Sequence, residues 1–243
     1  MRASSLASIL WISTAVAFAD ERPLRFSVSD STTMPMIRLN RGVATDGILY
    51  DLHRRIAEKV GREAEQPVMS RARIQLLLAA GDADVSCYMN PAWLAEDRPS
   101  YRWSVPFMSQ RTVLVARIDS PSIDLRQLQG ERIGTVLGFH YPDVDELLLD
   151  GHLIRDDART ENQVLGKVVA GRYRYALSTR TALGWFNRSQ PAELKLRVID
   201  EMTEFPVHCI VRDEPGVPAR DILDAMQQMQ RDGEFEAILA KYR

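Results

Sequence analysis

Residues 49–61, LYDLHRRIAEKVG, determine the first part of the fold. Four apolar side chains in this stretch recur at the spacing of one helix face: Leu49, Leu52, Ile56 and Val60. Gly61 follows them, at the point where a helix end favours a residue with left-handed backbone. The stretch therefore predicts an amphipathic helix that ends at Gly61.

Short apolar runs on both sides of this helix predict strands. Residues 24–28 form one strand before a polar turn, and residues 64–69 form another after the helix. A second apolar stripe that ends at Gly81 predicts a further helix, and residues 83–89 predict a third strand. Strands that alternate with helices favour a parallel sheet with helices on its faces.

The same alternation then starts again with a strand at 112–116, and Pro121 breaks the chain before the next strand. We predict further strands at 112–116, 133–136, 173–177, 196–199 and 207–211, and helices at 144–149 and 162–170. A last amphipathic helix has one apolar face, made by Ile222, Leu223, Met226 and Met229. The simplest arrangement is two α/β lobes joined by two crossings, near residues 117–120 and 200–204. We expect lobe 1 to contain residues 20–117 and 203–243, and lobe 2 to contain residues 118–202.

The first nineteen residues predict an export signal. Arg2 is followed by an apolar stretch at 6–16, and Ala17-Phe18-Ala19 has the small-residue pattern of a cleavage site. The apolar stretch is shorter than the roughly 20 residues that span a bilayer. We therefore expect cleavage near Ala19 and a mature protein in the periplasm.

Composition excludes several classes of function. The chain has 31 Lys and Arg residues against 33 Asp and Glu residues, so neither nucleic acid nor an anionic membrane is favoured as a partner. The histidines, at positions 53, 140, 152 and 208, lack the spacing of a zinc site. The sequence has no nucleophile elbow and no phosphate-binding loop. It therefore predicts neither a metal nor a cofactor.

Cys87 and Cys209 are the two cysteines of the chain. After export they would meet an oxidising compartment, where disulfides form. The predicted sheet order makes their strands neighbours. Disulfides between adjacent strands are geometrically awkward, however, and buried free thiols are common. The sequence leaves both states open.

Six short motifs occur along the chain in one order: Gly47 with Asp51-Leu52, Gly81 with Asp84, Trp103-Ser104 with Pro106-Phe107, Leu128 and Gly130 with Ile133-Gly134 and Gly138, Gly171-Arg172, and Gly233 with Lys241-Tyr242. Through these motifs the chain, from about residue 24 to its end, resembles the bacterial extracellular solute-binding proteins that serve polar amino-acid ABC transporters. The resemblance implies the type II periplasmic-binding-protein fold, in which two Rossmann-like lobes are joined by a two-strand hinge. It also implies a monomer that is not an enzyme. Such a protein captures a small-molecule solute, an amino acid or a related carboxylate, for an ABC permease.

Two positions depart from the pattern of this family, and both lie where the family holds its ligand. The family usually has a Thr three residues before the Arg that binds the ligand carboxylate, whereas Ala95 stands at that distance before Arg98. The family often has an Asp after the late strand of the second lobe, where it binds the ligand ammonium. This chain has Ser178 and Thr179 there, and neither supplies a charge.

Several candidate ligand-binding residues lie at the predicted cleft, at the carboxyl ends of the strands. Arg98 is the first candidate for an anion clamp because a guanidinium group matches a carboxylate in shape and charge. Arg102 is its rival, and the alternative for either is a solvated surface arginine. Tyr88, Asn90 and Trp93 follow the third strand, and their alternative role is the packing of a hinge.

Other candidates stand near predicted helix starts. Phe139 and His140 precede one helix, whose free backbone N–H groups either bind an anionic ligand or are capped without one. Thr160 and Glu161 stand at the start of another helix, where they either contact the ligand or Thr160 caps the helix. Asp30 follows the first strand and either pairs with a ligand cation or caps a turn. Ser178 stands at the position of the family's Asp.

Two other classes of function stay open. The fold also resembles that of periplasmic dehydratases of cyclohexadienyl acids, whose chemistry needs a carboxylate or a His in the cleft. Asp30 or His140 would have to serve in that role. The other class is a binding-fold accessory, such as a maturation factor for a periplasmic enzyme or a sensor input. The two departures from the family pattern favour this second class.

Overall fold

The computed structural model describes residues 22–94 and 99–243. The predicted export signal and Arg98 lie outside these residues. The strands are β1 Leu24–Ser29, β2 Arg38–Asn40, β3 Val43–Asp46, β4 Ala64–Glu65, β5 Val68–Met69, β6 Val85–Met89, β7 Tyr101–Trp103, β8 Met108–Arg117, β9 Glu131–Val136, β10 Leu153–Ala158, β11 Tyr175–Thr179 and β12 Leu196–Arg212. The helices are α1 Ile48–Lys59, α2 Arg71–Ala79, α3 Asp145–Leu149, α4 Glu161–Val169, α5 Arg180–Asn187, α6 Ala219–Arg231 and α7 Glu234–Ala240. In the described ranges, no helix combines the length and the apolar character that a membrane span requires.

One mixed sheet organises the molecule. In the described part of the chain its order is β10-β9-β11-β8-β12-β6-β1-β4, with β5 beside β1 and β7 beside β12. β1 pairs in parallel with β4, β5 and β6, and β9 pairs in parallel with β10 and β11. The predicted parallel arrangement is confirmed within each run. β8 and β12 are antiparallel to each other and to their other partners. The chain crosses the sheet in one direction along β8 and returns in the opposite direction along β12.

Four clusters of buried apolar side chains form the core. Two of them are built from residues within 24–107 and 207–238. The other two are built from residues within 113–196. We call the part of the structure around the first two clusters the first half, and the part around the other two the second half.

The chain passes from the first half to the second half inside β8. Met108 packs against a first-half cluster, whereas Val113 is fully buried in a second-half cluster. This passage lies before the expected crossing near residues 117–120. The difference arises because β8 is longer than the strand predicted at 112–116. Its carboxyl-terminal part already packs in the second half.

The return passage lies inside β12, which is one continuous strand where the sequence predicts two. Met202 packs against the second half and Val207 is buried in the first half, so the expected crossing near residues 200–204 lies within this strand. The residues between the two predicted strands are largely polar and exposed. They continue the strand because they pair with β8, which hydrophobic periodicity does not reveal.

Some elements were missed by sequence reasoning for local reasons. β10 carries Arg155, Asp156 and Asp157, and it lies at the edge of the sheet, where polar side chains are tolerated. Its pattern therefore lacks the apolar run of a central strand. α5 is only 8 residues long, and the β2–β3 hairpin and β7 are shorter still.

Cys87 and Cys209 form a disulfide. They face each other in the register of β6 and β12, with their Cα atoms 3.9 Å apart. The bridge therefore ties a strand of the first half to one of the two crossing strands. The structure thus selects one of the two states that the sequence left open.

Candidate functional site

A cavity of about 50 Å³ lies between the two halves. The first half contributes Arg71, Tyr88 and Trp93, and the crossing strand β8 contributes Gln110 and Thr112. The second half contributes Phe139, His140, Tyr141, Glu161, Ser178 and Thr179. The cavity therefore lies where strand ends and helix starts of both halves meet, which is where open α/β sheets bind ligands.

A larger groove of about 1030 Å³ lies on the surface beside α1 and α7. Its charged side chains are satisfied by one another: Arg55 pairs with Glu58 and Glu234, and Lys241 pairs with Asp51. These pairs occupy much of its charge within α1 and α7. We assign the site to the smaller cavity because it lies between the two halves, at strand ends and helix starts.

Arg71 brings a positive charge to the cavity. It is the first residue of α2, and its backbone N–H donates to a carboxylate oxygen of Asp30 over 3.1 Å. Its guanidinium carbon lies 4.9 Å from the centre of the Phe139 ring in the second half. Burial lowers the pKa of Arg71. Within residues 22–94 and 99–243, its guanidinium has no hydrogen-bond or ion-pair partner.

Glu161 brings a carboxylate from the other side. It is the first residue of α4 and is only 8% exposed. Its Oε1 accepts hydrogen bonds from the Ser178 hydroxyl, the Thr179 backbone N–H and the Thr179 hydroxyl, over 3.2, 3.0 and 3.1 Å. Burial raises the pKa of Glu161, and these hydrogen bonds oppose that shift. A carboxylate is thus held beside the two residues that replace the family's Asp.

Gln110 leaves a donor free at the cavity. It lies on β8 and is only 3% exposed. Its side-chain Oε1 accepts from the Thr181 hydroxyl over 3.1 Å, but its buried Nε2 has no partner among the described residues. An unpaired buried donor is costly, so this position favours a ligand with an acceptor group.

Aromatic rings form much of the remaining wall. The Tyr88 and Trp93 rings are 5.8 Å apart. Tyr88 has a φ of 67°, in the left-handed region that residues with a Cβ rarely adopt. Tyr141 accepts a hydrogen bond from the Val136 backbone N–H over 3.0 Å. Burial raises the pKa of both Tyr88 and Tyr141, so both phenols stay neutral at ordinary pH.

Six of the residues that the sequence singles out line this cavity: Tyr88, Trp93, Phe139, His140, Glu161 and Ser178. His140 is half-exposed, and its Nε2 lies 3.2 Å from a carboxylate oxygen of Asp145. Ser178 is buried and donates to Glu161. The structure thus brings these six residues together at one cavity, and their contact with a ligand stays a prediction.

Three other candidates have structural partners and do not line the cavity. Asp30 accepts from the first backbone N–H of α2. Asn90 is buried, donates to the Pro206 carbonyl and accepts from the Ala92 N–H, over 2.7 and 2.8 Å. Thr160 caps α4 by accepting from the Gln163 N–H. Their described contacts are therefore with the protein's own backbone.

Of the two arginines proposed as anion clamps, Arg98 lies outside the described residues and stays a candidate. Arg102 is exposed and forms an ion pair with Asp213, with 2.7 Å between Nε and the carboxylate oxygen. Among the described residues, Arg71 brings a guanidinium group to the cavity.

Arg71 and Gln110 are the residues that sequence reasoning missed as polar contacts. A signal existed for Arg71, because it closely follows a predicted strand and therefore stands at the carboxyl edge of the sheet. Gln110 lies on a crossing strand and carries no local signal. Glu161 was a candidate contact at a helix start, and the structure adds that its side chain turns toward Ser178 and Thr179 of β11.

Among the described residues, no three His, Cys, Asp or Glu side chains converge as a metal site would require. The cavity contains one carboxylate, from Glu161, and one imidazole, from His140. Its polar groups are therefore suited to hydrogen bonding and ion pairing with an organic solute.

Comparison with known proteins identifies the family. The sequence profile of the bacterial extracellular solute-binding proteins, family 3, matches residues 26–243. The chain belongs to this family. Among curated proteins, no match to this family 3 solute-binding protein was found.

Solved structures similar to this family 3 solute-binding protein share its fold at low identity. An ancestral arginine-binding protein bound to arginine has 21% identity and a TM-score of 0.74, covering 90% of this chain and 97% of its own. A histidine kinase sensor domain with similarity to periplasmic binding proteins has 20% identity and a TM-score of 0.73, with coverage of 91% and 96%. The substrate-binding protein of an amino acid ABC transporter has 17% identity and a TM-score of 0.68, with coverage of 90% and 98%. These neighbours establish the type II periplasmic-binding-protein fold.

Proposed function

We propose that this protein captures a small solute with both a carboxylate and an ammonium group, an amino acid or a close relative, in the cavity between its halves. The observation that carries the proposal is the pair Arg71 and Glu161. They bring opposite charges to one cavity from opposite halves, and among the described contacts they form no ion pair with each other. A ligand carboxylate would bind the guanidinium of Arg71 and the free Nε2 of Gln110. The ligand ammonium would bind the carboxylate of Glu161.

Capture requires the two halves to move as lobes. At about 50 Å³ the cavity is far smaller than the roughly 300 Å³ of the smallest typical ligand sites, so a solute needs an opening motion to enter. We propose that β8 and β12 form the hinge between lobe 1 and lobe 2. The boundary lies between Met108 and Val113 in β8, and between Met202 and Val207 in β12. The closed form holds the solute between the lobes.

We further propose that the protein is exported to the periplasm by cleavage near Ala19, and that as a monomer it delivers its solute to an ABC permease. Two observations support this. The disulfide between Cys87 and Cys209 is suited to an oxidising compartment. One structural neighbour is the substrate-binding protein of an amino acid ABC transporter. Recovery of the mature protein from periplasmic extract, with its first residue at Asp20, would test the export step.

Thermal unfolding with separate additions of L-glutamate, L-glutamine, glutarate and putrescine tests the binding proposal. We expect at least one of the two amino acids to raise the melting temperature, because a ligand in excess of its dissociation constant stabilises the folded state. Glutarate lacks the ammonium group and putrescine lacks the carboxylate, so neither should match the amino acid. A melting temperature unchanged by all four compounds would count against solute capture.

One observation favours a second function. The narrow cavity is already lined by the rings of Tyr88, Trp93, Phe139 and Tyr141. A closed cleft of this kind suits a binding-fold accessory that recognises another periplasmic protein, such as an enzyme under maturation or a sensor. Co-purification of one defined periplasmic enzyme in stoichiometric amount, together with no response to the four solutes, would replace the transport proposal with this one.

The proposed function involves binding without chemistry. Of the two residues considered for dehydratase chemistry, Asp30 caps α2 and His140 pairs with Asp145. Glu161 is the carboxylate at the cavity, and its Oε1 already accepts three hydrogen bonds. Incubation with a cyclohexadienyl acid such as prephenate should leave the acid unchanged, and formation of an aromatic product would contradict the proposal.

A further inference from the structure

Arg71 spans the gap between the two halves. The residue starts α2 in the first half, and its guanidinium stacks on Phe139 in the second half at 4.9 Å. Its aliphatic stem passes close to Gly138, where an added Cβ would lie 3.4 Å from Arg71 Cγ. Arg71 therefore occupies the aromatic face that the cavity offers on that side.

An aromatic face beside an acidic group is a typical binding place for a cation. The cavity has such a face in Phe139, and it has the carboxylate of Glu161. By themselves these groups would suit a ligand with a positively charged side chain. In this chain the cation on the Phe139 ring is supplied by the protein itself.

The charge of Arg71 also lacks an acceptor in the part of the chain that the structure describes. No carboxylate or carbonyl of the described residues pairs with its guanidinium. Burial in this position lowers its pKa, which shows that the surroundings stabilise the charged form less than water does. A ligand that brings an acceptor group satisfies Arg71, whereas a ligand that brings a second cation is repelled by it.

We propose that Arg71 is the specificity-determining residue of the cavity: it excludes solutes with a cationic side chain and selects amino carboxylates whose side chain is acidic or uncharged. This inference rests on the proposed function, since it refines which solute the same cavity takes. It separates this chain from its structural neighbour bound to arginine, whose fold it shares.

Isothermal titration of the purified protein with L-glutamate, L-glutamine, L-arginine and L-lysine tests the inference. We expect the wild type to bind the better of L-glutamate and L-glutamine at least about tenfold more tightly than L-arginine or L-lysine, because a like charge in the cavity is unfavourable. Arg71→Met keeps an unbranched apolar stem and removes the charge. This variant should lose affinity for L-glutamate and gain affinity for L-arginine. The ratio of the L-glutamate affinity to the L-arginine affinity should therefore fall at least about tenfold.

Two further variants make the test specific. Arg71→Lys keeps the charge and should keep the discrimination against L-arginine. Arg73→Met makes the same change at an exposed position of the same helix, and it should leave all four affinities unchanged. The preference of the wild type for L-glutamate or L-glutamine over L-arginine and L-lysine tests the inference even where a variant folds poorly.

The possible results separate the inference from the function on which it rests. Wild-type binding of L-arginine or L-lysine as tight as that of the better of L-glutamate and L-glutamine overturns the inference alone. So does an Arg71→Met variant with an unchanged ratio. Binding of none of the four amino acids overturns both the inference and the proposed function.

Discussion

The carboxylate of Glu161 is fixed to the start of the neighbouring helix by Thr179. Its Oε1 lies 3.0 Å from the backbone nitrogen of Thr179 and 3.1 Å from the hydroxyl oxygen of the same residue. The Thr179 hydroxyl in turn accepts from the Ala182 N–H and caps α5. Glu161 therefore joins the starts of α4 and α5, and the same side chain lines the cavity.

Glu161→Gln separates the charge of this side chain from its hydrogen bonds. The Gln side-chain oxygen can accept the same three hydrogen bonds, so the protein should fold. The variant should bind L-glutamate roughly 10- to 100-fold more weakly, since a hydrogen bond to a charged group contributes roughly 1.5–3 kcal/mol. Its affinity for glutarate, which has no ammonium group, should not fall. Isothermal titration of both ligands measures the difference, and equal losses for the two would contradict the assigned role.

Glu161→Ala provides the structural comparison. It removes the acceptor for Ser178 and Thr179 and should lower the free energy of unfolding by about 1–3 kcal/mol. Urea denaturation at pH 7 would show this loss for Ala and little or none for Gln. A Gln variant as unstable as the Ala variant would mean that the charge itself holds the two helix starts together.

Asp84 should be a major determinant of stability. Its side chain is fully buried and accepts from Arg22, Arg25 and Arg212 at 2.7, 3.2 and 3.1 Å. These partners hold its pKa well below the ordinary range, against the opposing effect of burial. Asp84→Asn should lower the free energy of unfolding by about 3–5 kcal/mol, because it leaves partly buried guanidinium groups without their anion.

The exposed pair of Arg220 and Asp224 offers a matched control for Asp84. The two side chains are 91% and 64% exposed and 3.8 Å apart, and exposed pairs of this kind contribute roughly 0–1 kcal/mol. Asp224→Asn should therefore change the free energy of urea unfolding little. A similar loss for Asp84→Asn and Asp224→Asn would refute the special role of the buried carboxylate.

His53 should make stability fall in weakly acidic solution. It is fully buried, stacks on Phe26 at 4.6 Å, and its Nε2 has no partner among the described residues. Burial lowers its pKa from 6.5 to about 4. The unfolded state therefore takes up a proton first as pH falls, so stability is fully present above pH 6.5 and is lost progressively down to about pH 4. The loss should be about 3 kcal/mol, because one pKa unit corresponds to about 1.4 kcal/mol.

Free energies of unfolding measured in urea at several pH values test this prediction. His53→Gln should flatten the curve between pH 6.5 and about pH 5, while His152→Gln, at an exposed position, should leave it unchanged. A wild-type curve that is flat over this interval would argue against a neutral buried imidazole. The lowered pKa values of Asp84 and Glu234 reduce stability only below about pH 5, so the upper part of the curve isolates His53.

Gly47 should not tolerate a side chain. Its φ is 117°, and an added Cβ would lie 2.6 Å from the Met36 carbonyl oxygen and 2.7 Å from Ile37 Cα. Gly47→Ala should lower the free energy of unfolding by more than about 1 kcal/mol, because both the backbone angle and the space oppose it. Gly184→Ala, in the interior of α5 with no atom within 4 Å of the new Cβ, should instead raise it by about 0.5–1 kcal/mol. Thermal unfolding should show a lower melting temperature than that of the wild type for Gly47→Ala and a higher one for Gly184→Ala.

The disulfide should stabilise the protein through its long loop. Cys87 and Cys209 are separated by 122 residues in sequence, and cross-links over such loops contribute about 2–5 kcal/mol. Replacement of both by Ala should lower the unfolding free energy by that amount, and reductant should then have no further effect. Two titratable thiols in the unfolded, unreduced wild type would show that the bridge does not form.

Local sequence patterns were sufficient for most of the secondary structure. The 49–61 stretch predicts α1 almost to the residue, and Gly61 and Gly81 have the positive φ expected at helix ends. The alternation of apolar strands and amphipathic helices also predicts two runs of parallel strands. These features were predictable because hydrophobic periodicity and turn chemistry act over only a few residues.

The chain alone determined that it is an α/β protein of the solute-binding type, but only the tertiary structure decided which side chains form the site. Glu161 reaches Ser178 across 17 positions of sequence, and Arg71 reaches a ring of the other half. Local periodicity predicts neither of these contacts, because both contacts depend on the angle at which whole helices and strands pack. The same holds for Cys87 and Cys209, which the register of β6 and β12 brings face to face.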